Sequence, residues 1–143
     1  MKKTLTLFLL LISISSFAGS HQALDTISNW QVCNGGKLLK AFNLASVDIR
    51  IFLSKGKIRA IDSVEVKYFD DTPCFDYVSN LTIRTKNNKV IKSIDNSIGT
   101  SNFKIRTTDL QMLAHKNRSS ILKFYFKEKE SDKEILLFEI KIR

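Results

Sequence analysis

Two cysteines, two histidines and a short cluster of aspartates are the side chains of this chain most able to do chemistry. Cys33 is followed by Asn34-Gly35-Gly36, a thiol beside a turn whose backbone N–H groups could face a developing oxyanion. Redox-active thiols usually stand as Cys-x-x-Cys. Cys33 and Cys74 do not, so they read more simply as one structural disulfide, worth ~4 kcal/mol by loop entropy. His21 and His115 are too few for a structural zinc site. Asp70, Asp71 and Asp76 could gather around calcium, but the Asp-x-Asp-x-Asp-Gly spacing is missing, and a solvated acidic loop explains them better. A Ser–His–Asp set built on His115 has no Gly-x-Ser-x-Gly elbow behind it. Phosphate loops and dinucleotide fingerprints are absent. The expectation is a protein that is not an enzyme and holds neither metal nor cofactor. A small hydrolase around His115 or the Asp70–Asp76 loop ranks last.

The compartment follows from the first residues. Lys2 and Lys3 precede an apolar run from Leu5 to Ile14, and Ser16-Phe17-Ala18 places small side chains where a signal peptidase reads. The run is too short to span a bilayer, which takes ~20 residues. Residues 1–18 therefore read as a cleaved signal peptide, and 19–143 as a single exported, unanchored domain. Phe17-Ala18-Gly19-Ser20 resembles a bacterial lipoprotein signal except that Ser20 stands where lipid attachment needs a thiol. Periplasm or medium is the expected location. An oxidising compartment suits the Cys33–Cys74 disulfide.

Charge supplies the one hint of a partner. The chain carries 23 Lys and Arg against 14 Asp and Glu, a formal +9, and the signal would remove only Lys2 and Lys3 from that surplus. Arg84, Lys86, Lys89 and Lys92 fall on outward positions, as do Lys104, Arg106, Lys116, Arg118, Lys123 and Lys127. Lys104, Arg106, Lys123, Tyr125 and Lys127 are the binding candidates, on the expectation that neighbouring strands align them into one positive face. Such a face attracts anionic envelope polymers, lipids or an acidic protein. Basic and aromatic residues together also suit single-stranded nucleic acid, which an exported protein seldom meets. The plainer reading, that outward lysines keep strand edges soluble, outweighs the functional one.

Strands must position these residues. Trp30 and Val32 alternate before the Asn34-Gly35-Gly36 break, and Lys37 to Leu44 gives a weaker second strand. Val47, Ile49, Ile51 and Leu53 follow at period two, then Val64, Val66 and Tyr68, then Leu81 and Ile83. Asn87-Asn88 suits a tight hairpin turn. Phe103 and Ile105 alternate, as do Leu122, Phe124 and Phe126, and Leu136, Phe138, Ile140 and Ile142. Between them, Thr108 or Asp109 would cap a short helix whose Leu110, Leu113 and Ala114 share a face. The spacing predicts an all-β, antiparallel sandwich of eight or nine short strands with one helix in a crossover, immunoglobulin-like in outline. A small closed β-barrel is the alternative. Cys33 and Cys74 would bridge the sheets near Trp30, although no Trp lies between the cysteines and no Tyr stands two residues before Cys74.

The function expected from these features is a non-catalytic exported binding module of the bacterial cell envelope, docking an envelope protein or an anionic polymer or lipid. The alternative is a periplasmic enzyme inhibitor or immunity protein. Neither the ligand nor the oligomeric state is written in the sequence.

Overall fold

The computed structural model describes residues 28–54, 56, 59, 61–69, 78–96, 102–128 and 131–143. The proposed signal, the Asp70–Asp76 loop and Cys74 lie outside the described residues. Within them the chain forms β1 (Asn29–Asn34), β2 (Lys37–Asn43), β3 (Arg50–Leu53), β4 (Ser63–Phe69), β5 (Ser79–Thr85), β6 (Val90–Asp95) and β7 (Asn102–Arg106). A helix α1 (Thr107–Lys116) follows, then β8 (Ile121–Glu128) and β9 (Glu134–Ile142).

Alternation decides the architecture. On each strand one parity is apolar, so each sheet buries one face against another. A four-stranded sheet in the order β2-β1-β4-β7 lies against a five-stranded sheet ordered β3-β9-β8-β5-β6. Each ends in two strands of its own, so the sandwich is shown and the closed barrel is not. The core lies between the sheets: Trp30, Val32, Val64, Val66, Phe103 and Ile105 from one, and Leu81, Ile83, Leu122, Phe124, Phe126, Phe138 and Ile140 from the other. Stacked aromatic rings join the layers, Tyr68 lying 4.1 Å from Phe126 and Phe42 6.0 Å from Phe138 between centroids, while Phe124 stacks on its cross-strand neighbour Phe138 at 4.6 Å within the five-stranded sheet.

Three local expectations are corrected. β3 begins at Arg50, so Val47 stands fully exposed in the preceding loop instead of joining Ile51 and Leu53 inside. β3 also pairs parallel with β9, Ile51 opposite Ile140, whereas antiparallel pairing was expected throughout. The helix is not capped by Thr108 or Asp109. β7 runs into it directly, and Arg106 occupies the cap with no side-chain hydrogen bond. The Thr107 N–H instead donates to the Asp62 carbonyl at 3.0 Å, and its hydroxyl to Asn34 Oδ1 at 3.1 Å.

The expected Cys33–Cys74 disulfide involves a residue outside the described residues, and only the Cys33 end is described. Trp30 and Val32 point into the core, so Cys33 turns to the outer face, in register with Glu65, away from the space between the sheets. It is buried there.

Candidate binding surface

The five binding candidates divide between the two sheets. Lys104 and Arg106 alternate with buried Phe103 and Ile105 on β7, the edge of the four-stranded sheet. Lys123, Tyr125 and Lys127 alternate with buried Leu122, Phe124 and Phe126 on β8, within the five-stranded sheet. All five point outward, as strand parity requires. The two outer faces are on opposite sides of the core, however, so the single aligned face is replaced by two separate groups.

The β7 group is electrostatically spent. Lys104 meets Glu65 at 3.1 Å, its cross-strand neighbour, and Arg106 meets Asp109 at 3.1 Å, one turn into the helix. The β8 group is not. Register places Arg50, Glu139, Lys123 and Arg84 in one row across β3, β9, β8 and β5. The next outward row runs Leu136, Tyr125, Thr82 and Ser93, and the one beyond it Glu134, Lys127, Asn80 and Asp95. Glu139 is engaged by Arg50 at 3.6 Å, and Glu134 by Arg84, whose Nη2 donates to both carboxylate oxygens at 2.8 and 2.6 Å. Lys123, Lys127 and Lys141 form no ion pair among the described residues. Two acids of this face, Glu139 and Glu134, are thus engaged by its arginines, while Asp95 accepts from Asn80, and the lysines outnumber the acids left.

Tyr125 is the fixed point of the group. The Arg84 guanidinium carbon lies 4.5 Å from its ring centroid, a cation–π stack worth about 0.5–1 kcal/mol at an exposed site. Beneath that stack Arg84 Nε is shielded from solvent and has no hydrogen-bond partner. Lys123 donates to Asn88 Oδ1 at 3.0 Å. Asn88 is held by the β5–β6 turn with φ of 63°, a conformation Asn tolerates better than most residues. At the other end, Asn80 Nδ2 donates to Ser93 Oγ and Asp95 Oδ1 at 2.6 and 2.7 Å, and its Oδ1 accepts from the Thr82 hydroxyl at 2.7 Å. A concavity of about 430 Å³ opens beside this network, lined by Val78, Ser79, Asn80, Asp95 and Lys127.

Parity alone could identify Tyr125 and its two lysines, but not Arg84, Asn80 and Asn88 as their neighbours. That information lies in the β5–β8 register, a pairing remote in sequence, whereas the Asn87-Asn88 turn sets only the β5–β6 hairpin that carries Asn88.

The remaining sequence candidate, His115, sits exposed on the last turn of α1. It lines an open concavity of about 970 Å³ with Gln111, Ala114, Arg118, Ser119, Ser120 and Ile142. No carboxylate is among these residues to orient the imidazole. The Ser119 hydroxyl is already committed, donating to the Ile121 carbonyl at 2.6 Å and accepting from the Lys86 N–H at 3.2 Å. No group of three His, Cys, Asp or Glu among the described residues is arranged to hold a metal. No protein-family model and no curated protein matches the chain.

Proposed function

We propose that the protein is a non-catalytic binding module exported to the bacterial cell envelope, and that it docks an anionic envelope component through the outer face of the five-stranded sheet. The observation that carries this reading is the cluster of Lys123, Tyr125 and Lys127 with Arg84, in which arginines engage Glu134 and Glu139 while Lys123 and Lys127 form no ion pair among the described residues. A rigid aromatic between cations gives a polyanion both charge and a flat contact. Export rests on the signal-like residues 1–18. No helix among the described residues is long and apolar enough to cross a membrane. The reading needs no metal and no cofactor.

The test is cross-linking in cells followed by capture of the exported protein, washed at low and high salt. An anionic polymer or lipid that is released as salt rises supports the proposal, because exposed charge contacts are screened. Charge reversal by Lys123→Glu with Lys127→Glu abolishes that retention, whereas Lys104→Glu with Arg106→Glu leaves most of it. A single protein held equally well at high salt overturns the reading in favour of the inhibitor or immunity function.

A further inference from the structure

The concavity at the end of α1 is built from two places in the chain. Gln111, Ala114, His115 and Arg118 follow the i, i+3, i+4, i+7 spacing that sets them along one side of the helix and its exit turn. Ser119, Ser120 and Ile142 complete the lining, where β8 begins and β9 ends. That junction is tied down. The Ile142 N–H donates to the Ser120 carbonyl at 3.0 Å, and the Ser119 N–H to the Ala114 carbonyl at 2.9 Å.

Arg118 holds its place in this turn at a conformational cost. Its N–H donates to the His115 carbonyl at 3.1 Å, which with the Ser119–Ala114 bond makes a two-bond helix exit. Such an exit puts one residue at positive φ, a place glycine usually fills because it has no Cβ to clash. Here Arg118 fills it, with φ of 48°. Neither Arg118 nor His115 forms an ion pair among the described residues. No Asp or Glu is among the described residues that line the concavity. The negative end of the helix is also covered, because the Leu113, Ala114 and His115 carbonyls accept from the N–H groups of Asn117, Ser119 and Arg118. Between these polar groups, buried Ala114 and Ile142 add an apolar floor.

We propose that this concavity binds a small organic anion, whose carboxylate or phosphate is taken by Arg118 and His115 and whose apolar body lies on Ala114 and Ile142. A guanidinium offers paired N–H donors that match either head group, and it stays charged at any physiological pH. Imidazole donates an N–H in its neutral and its charged form alike. At about 970 Å³ the space is far larger than an inorganic ion needs and matches the size of sites for organic ligands. It shares no lining residue with the β8 cluster, and the proposal does not depend on what that face binds.

The probes are phenylacetate and phenyl phosphate, with benzyl alcohol as the uncharged counterpart and inorganic phosphate as the bare head group. Binding is read from amide and methyl shifts of the isotope-labelled protein. At least one of the organic anions is expected to shift residues 111–120 and the Ile142 methyls, with benzyl alcohol and inorganic phosphate at least roughly tenfold weaker. Whichever anion binds more tightly names the head group. Arg118→Gly separates binding from folding. Glycine accepts the positive φ, so the thermal midpoint holds while affinity for the anion falls by a similar factor. Lys123→Glu with Lys127→Glu leaves the affinity intact. Absence of shifts in this turn up to about 10 mM probe, equal binding of benzyl alcohol or inorganic phosphate, or undiminished binding by Arg118→Gly overturns the proposal.

Discussion

The indole of Trp30 is held by both layers of the sandwich. Phe42 and Tyr68 flank it at 6.2 and 6.3 Å, and its Nε1–H donates to the Leu137 carbonyl at 3.0 Å across the core. That carbonyl is available because β9 is bulged there: opposite Phe124 and Tyr125 stand Phe138 and Leu136, so Leu137 is the extra residue. Trp30→Phe keeps most of the ring packing but leaves the buried carbonyl unpaired, which costs about 1–3 kcal/mol. Urea unfolding should register that loss as a lower midpoint at an unchanged slope. Gly35 is a second such position. Its φ is 57°, and a Cβ built there stands 3.0 Å from Asp62 Oδ1, the carboxylate that also holds Arg59 at 3.2 Å. Gly35→Ala meets an adverse backbone conformation and a close polar atom together, and should destabilise by about 1–3 kcal/mol. The same urea titration reads it; a change under ~0.3 kcal/mol would mean the turn relaxes freely.

Among the elements, the β2–β3 connection holds a carboxylate that the fold makes more acidic, Asp48. The Lys40 side chain donates to Asp48, and the Arg50 N–H donates to the same carboxylate, which together hold it below the ordinary aspartate value of 3.8. A carboxyl lowered on folding contributes stability above its unfolded pKa and loses that contribution as the pH falls through its folded value. Carbon-detected NMR should place the Asp48 midpoint below 3.8, and Lys40→Met should raise it. The pairs formed by β-strand parity were legible in the sequence: Val64 with Val66, Leu122 with Phe124 and Phe126, Phe103 with Ile105. Parity separates inside from outside and stops there. It does not say which sheet a strand joins, so Lys104 and Lys123 looked like neighbours although the core divides them. It was equally blind to the helix start, because what satisfies Thr107 comes from Asn34 and Asp62, both remote in sequence.

At the level of the whole molecule, the positive surplus is distributed unequally. Ion pairs absorb the cations of β7, while the outer face of the five-stranded sheet retains Lys123, Lys127 and Lys141. Association with an anionic surface should therefore slow steeply with ionic strength and depend on that face alone. Vesicle co-sedimentation provides a direct check. Anionic lipid should retain the protein at low salt and release it by roughly physiological strength, where the screening length is about 8 Å, and neutral lipid should retain none. Binding to neutral vesicles would transfer the interaction from charge to the exposed leucines of β2.

The parallel pairing of β3 with β9 also governs when this fold can exist. β3 ends at Leu53, yet its neighbour in the sheet is Glu134–Ile142, and the Arg143 N–H closes the contact on the Leu53 carbonyl at 2.9 Å. Every residue between them must leave the ribosome before the five-stranded sheet can be completed. Such sequence-distant pairing is slow to form. A nascent chain of this design therefore keeps its five-stranded sheet incomplete until β9 has been made, although every strand of the other sheet precedes it.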